Sequence, residues 1–168
     1  TLVTPNSPYD RYVNGDKTAL SDPAIRGMTT FEQVGCKSCH SGAAFAGPKM
    51  PPGSGLFMKF PTFTDNEYVE KFDLMADGGR YVATGNEADK NMWRVPTLRN
   101  LTYTAPYFHN GAAKTLHDTV RIMAKTQLDK ELSDGEVNDI VAFLEDLTGE
   151  FPKQTMPRLP PTPGNLLE

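Results

Sequence analysis

Apolar residues recur with a helical period in three stretches. Ile25, Met28, Phe31 and Val34 form one stripe. Ser21 stands before it as an N-cap, Pro23 sits in the first turn and Gly35 closes it, which predicts a helix over 21–34. Val137, Ile140, Val141, Leu144 and Leu147 form a second stripe behind Ser133-Asp134-Gly135-Glu136, a capping-box pattern, with Gly149 beyond its end. Thr115-Leu116-His117-Asp118 opens a third helix through about Ala124, and Thr64-Asp65-Asn66-Glu67 opens a short one through about Leu74. Between them the pattern fades. Residues 1–19 read as an extended arm, 41–63 as a Gly- and Pro-rich loop, and 80–114 as irregular. Residues 150–164 hold five prolines and predict an extended tail that lies against something, given Phe151, Met156 and Leu159. No strand is predicted. The fold class is all-α, about four helices with long loops, in three parts: an arm at 1–20, a domain at 21–149 and a tail at 150–168.

Composition narrows the classes. The 168 residues carry 17 basic and 21 acidic side chains and no basic stripe, which argues against nucleic acid as a partner. No apolar run approaches the roughly 18 residues that span a bilayer. Glycine and proline, 14 each, argue against a long-helix bundle. An opening of Thr1-Leu2-Val3-Thr4-Pro5 predicts a mature or trimmed piece. Loops this long predict an organising cofactor.

Both cysteines fall in Cys36-Lys37-Ser38-Cys39-His40. C-x-x-C-H is the attachment motif of c-type haem: two thiols add across two vinyl groups, and the next residue places an imidazole under the iron. A redox pair would prefer a βαβ context, zinc would need more ligands than His109 and His117 supply, and a disulfide would close a very short loop. A helix leading into the motif resembles the opening of a class I cytochrome c domain. Gly27 and Phe31 match that family's small-aromatic pair, which packs on the last helix. For the second axial ligand, spacing leaves Met123, Met92, His109 and His117 as candidates, with Met123 favoured because it lies just upstream of the final helix.

A longer signature follows. Arg94-Val95-Pro96-Thr97-Leu98-Arg99-Asn100 and Thr104-Ala105-Pro106-Tyr107-Phe108-His109-Asn110-Gly111 resemble the signature of the bacterial dihaem cytochrome c peroxidases, the family that also contains the MauG-like proteins. Ser7-Pro8-Tyr9-Asp10-Arg11-Tyr12 and Pro157-Arg158-Leu159-Pro160 are further matches. The resemblance covers nearly the whole chain but only the C-terminal, electron-accepting half of such a protein. It implies one covalent haem c on Cys36 and Cys39, with His40 and Met123 as axial ligands of a high-potential iron. MauG-like members carry Tyr at the position of Met123, so Met favours the peroxidase branch. It implies backbone carbonyls of Thr104 and Pro106 on a calcium ion shared with the other domain. It implies a small cytochrome c or a blue-copper protein as electron donor, and an N-terminal peroxidatic haem domain as acceptor and site of H2O2 reduction. The implied compartment is the bacterial periplasm. No second C-x-x-C-H occurs, so no catalytic residue is assigned here. The loop Lys49–Phe60 departs from the pattern, and Trp93 reads as a core residue. A stand-alone monohaem electron carrier is the alternative, and a homodimer stays open.

Overall fold

The computed structural model describes residues 4–155. Six α-helices and one small sheet occur among them: α1 Pro8–Val13, α2 Asp22–Val34, α3 Glu67–Lys71, α4 Tyr81–Thr84, α5 Leu116–Leu128 and α6 Asp134–Glu145, with β1 Phe57–Lys59 and β2 Met92–Arg94. The protein is thus mostly helical with a two-stranded antiparallel sheet pairing Phe57 with Arg94, Met58 with Trp93 and Lys59 with Met92. The two strands correct the strandless reading. Three residues each is too short for an alternating pattern to show, and the pairing partners lie far apart in sequence.

Helix α2 begins and ends where its punctuation predicts. Ser21 Oγ accepts from the Ala24 N–H, and Gly35 takes a left-handed φ of 111°. Helix α6 carries the complete capping box of Ser133 and Glu136. These two helices form the main packing pair. Their crossing sits at Gly27, where an added Cβ would lie 1.8 Å from the Asp139 carbonyl oxygen, so only glycine admits this approach. Phe31 then meets Phe143 at 5.5 Å between ring centroids. Arg26 braces the pair from outside with two hydrogen bonds to Asp139.

Three boundaries differ from the sequence reading. Residues 8–13 are helical rather than extended: Ser7 and Asp10 build a capping box, and Pro8 starts the helix. Helix α5 runs past Ala124 to Leu128, because Thr126 is buried and turns its hydroxyl onto the Ile122 carbonyl within the helix. Helix α3 is capped by Asn66, not Thr64, and stops at Lys71 before Asp73 turns left-handed. In the tail, Phe151 rests edge-on against Tyr103 and the Glu150 N–H bonds to the Pro5 carbonyl. Met156 and Pro157–Pro160 lie outside the described residues. One core joins α2, α5 and α6 through Phe31, Leu116, Val120, Ile122, Val137, Ile140 and Phe143.

Candidate haem site

The C-terminus of α2 delivers Cys36 into a single 3-10 turn, Cys36–Ser38. That turn sets the His40 N–H on the Cys36 carbonyl, 3.0 Å away. The two thiols and the imidazole therefore share one short, folded piece of backbone. The thiols are not joined to one another. Burial pushes the Cys36 thiol up to about 11, so it is a protonated thiol at neutral pH. A disulfide-exchange pair needs a thiolate, which this setting disfavours.

His40 is oriented from behind. Its Nδ1 lies 2.9 Å from the Phe45 carbonyl oxygen. A carbonyl only accepts, so Nδ1 carries the proton and Nε2 presents a lone pair, the tautomer of a metal-ligating histidine. Burial lowers the ring's pKa, while the Phe45 and Pro96 carbonyls partly oppose the shift; the neutral ring therefore prevails at neutral pH.

Met123 sits mid-way along α5, half-buried, and packs on the same core as Cys36. The sequence reading placed it at a helix end; the continued helix instead holds it rigidly. The other candidates stand apart in character. Met92 lies in β2 opposite Lys59. His117 is exposed in the first turn of α5. His109 stacks on Trp93, with ring centroids 4.1 Å apart and planes inclined by 19°.

That stack carries a signal the sequence did not show. Trp93 Nε1 and His109 Nε2 are buried and have no hydrogen-bond partner among the described residues. A buried donor left unpaired costs about 1–3 kcal/mol. Burial also holds the His109 pKa down, with Asp77 and Asp73 opposing. Gly79, at φ +64°, lets the backbone close against the indole. Trp93 packs on the core as expected, but its ring nitrogen asks for an acceptor. Two such ring nitrogens, each carrying its proton, suit an anionic acceptor such as a carboxylate.

Thr104 and Pro106 are both exposed, in the loop between Asn100 and the Tyr107–Ala113 bridge. No group of three or more His, Cys, Asp or Glu side chains is placed to hold a metal among the described residues. No described helix is long and apolar enough to cross a membrane.

The chain is 43% identical to the cytochrome c551 peroxidase of Nitrosomonas europaea, over 96% of this chain and 45% of that protein. It is 39% identical to the cytochrome c551 peroxidase of Pseudomonas aeruginosa, over 95% and 44%. It is 27% identical to the methylamine utilization protein MauG of Methylophilus methylotrophus, over 95% and 47%. The crystal structure of a MauG-like protein associated with microbial copper homeostasis shares the fold, with a TM-score of 0.66 and 24% identity over 86% of this chain and 52% of that one. No protein-family profile matches the chain. The chain spans a little under half the length of the peroxidases it matches. Over nearly all of its own length, the chain belongs to the family of the cytochrome c peroxidases and MauG.

Proposed function

We propose that this chain is the electron-accepting half of a cytochrome c peroxidase, a class I cytochrome c-like domain with one covalent haem c. The observation that carries the reading is His40, its Nδ1–H committed to the Phe45 carbonyl, directly after two clustered thiols. When bound, the haem supplies a one-electron iron couple. Cys36 and Cys39 would hold it by thioethers, and His40 Nε2 would ligate its iron. Met123 Sδ would supply a second ligand, and a thioether ligand raises the potential. Trp93 Nε1–H and His109, with its proton on Nε2, would serve as hydrogen-bond donors to its carboxylates. With two protein ligands on the iron, no coordination site would remain for peroxide.

The remaining roles lie with partners. A small cytochrome c or a blue-copper protein donates the electron, and the N-terminal peroxidatic haem domain receives it. The periplasm is the compartment, since thioether attachment takes place outside the cytoplasm. The carbonyls of Thr104 and Pro106 contribute to a calcium ion whose other ligands come from the partner domain, because Ca²⁺ takes 6–8 oxygens. Calorimetry on this chain alone is expected to show no calcium binding tighter than about 10⁻⁵ M; tighter binding rules out a shared site.

Met123 is the direct test of the ligand set. The ferric, haem-loaded chain should show the long-wavelength sulfur-to-iron charge-transfer band, and Met123→Ala should abolish it. A band that survives Met123→Ala and disappears in Met92→Ala moves the ligand to Met92.

A further inference from the structure

Beyond the ligands themselves, we propose that Arg99 is a positioning residue for His40, acting through the carbonyl run of Ala43, Ala44 and Phe45. The proposal rests on the reading of His40 as the proximal ligand. Three consecutive carbonyls of the loop after the motif are each held by a different side chain. Arg99 Nε donates to the Ala43 carbonyl at 2.9 Å. Thr97 Oγ1 donates to the Ala44 carbonyl at 2.6 Å. His40 Nδ1 donates to the Phe45 carbonyl at 2.9 Å. Phe45 itself has a φ of +51°, a left-handed backbone that is strained for a bulky residue. Local turn bonds, Phe45 N–H to the Gly42 carbonyl and Gly47 N–H to the Ser41 carbonyl, close the loop, and the tertiary anchors fix it to the rest of the fold.

Arg99 is anchored in turn. One terminal nitrogen donates to Ser7 Oγ at 3.1 Å and to Asp10 Oδ2 at 3.0 Å, and the other pairs with Asp10 Oδ1 at 2.9 Å. Its guanidinium lies over the rings of Tyr9 and Phe45, 5.5 and 5.6 Å from their centroids. The side chain is 18% exposed. A partly exposed ion pair is weak evidence of stabilisation. Its distinguishing property is geometric: the planar fork meets Asp10 on one edge while Nε–H reaches Ala43, which a lysine cannot do at once. Helix α1 thereby becomes the outer support of the proximal histidine. A hydrogen bond at the distal ring nitrogen of a ligating histidine sets its orientation and basicity. Freeing the carbonyl run makes the ring a poorer donor and favours the ferrous iron.

The test follows the His40 Nδ1 proton in the reduced, haem-loaded chain by NMR. Solvent exchange of that proton is expected to accelerate at least tenfold in Arg99→Gln. The same is expected in the double variant Arg99→Gln with Asp10→Asn, which leaves the net charge unchanged. The reduction potential of the double variant should rise, by about 59 mV for each tenfold shift of the one-electron equilibrium. Arg26→Gln, which breaks the exposed pair with Asp139, should leave the exchange rate within twofold of the parent. Thr97→Val removes a single loop anchor and should accelerate exchange if Arg99→Gln does not fold. Unchanged exchange in the Arg99 variants and in Thr97→Val, or equal acceleration in Arg26→Gln, overturns the proposal. A His40 ring proton without a haem ring-current shift in the parent chain overturns the ligand reading first, and the proposal with it.

Discussion

At the scale of single residues, His40 is held through Phe45, whose carbonyl lies in a loop anchored by Arg99 and Thr97. Cys36, Cys39 and His40 are neighbours in sequence, so their motif states their chemistry without a fold. Phe45 is different: its left-handed backbone and its carbonyl on His40 belong to a loop fixed to the fold by Arg99 and Thr97, residues read only as parts of a signature. Trp93 read as core, and its unpaired nitrogen appears only once Gly79 and His109 close around it. Asp10 gives a testable sign. Burial alone would raise its carboxyl, but hydrogen bonds from Arg99 and Ser7 outweigh burial and hold it below the ordinary 3.8. A depressed folded-state pKa adds stability that is complete above the unfolded value and is lost as pH falls through the folded one. Urea unfolding between about pH 5 and pH 2 should therefore show a steeper loss of stability in the parent than in Asp10→Asn. Parallel pH profiles for the two proteins would show that Asp10 is not held in this way.

At the scale of elements, helices with strong punctuation were legible. Ser21 and Gly35 bracket α2 and the Ser133 box starts α6, because capping depends on residues three or four positions apart. Elements defined by tertiary partners were not. The sheet of β1 and β2 needs pairing across a segment that holds α3 and α4, and α1 needs Arg99 and the end of α6, where the Tyr9 N–H bonds to the Asp146 carbonyl. The α2–α6 crossing was anticipated from the Gly27 and Phe31 pair, and its contact distances make a prediction. Gly27→Ala puts a methyl into the Asp139 backbone and should destabilise the fold by about 1–3 kcal/mol or more in chemical denaturation. Gly135→Ala, in the exposed first turn of α6 with no heavy atom near its Cβ position, should be neutral or stabilising by up to about 1 kcal/mol. Equal effects at the two sites would mean that the crossing is looser than the structure shows.

At the scale of the whole molecule, the chain is one helical domain matching a little under half of its peroxidase relatives. Peroxide must reach iron before its O–O bond is broken, so a catalytic haem needs an open or easily vacated axial position. With the proposed ligands His40 and Met123 both bound, the iron would have no open position and would be suited to electron transfer. The family resemblance was specific because the segments 94–100 and 104–111 are long. The buried nitrogens and the Arg99 support were invisible because their partners are assembled from distant segments. The proposed ligand set leaves the chain unable to reduce peroxide alone, and steady-state oxidation of reduced cytochrome c by H2O2, catalysed by the purified haem-loaded chain, tests this most directly. The account predicts only a trace rate, which increases in Met123→Ala as the axial position opens. Turnover by the parent chain in the ordinary enzyme range of about 1–10³ s⁻¹ would contradict it.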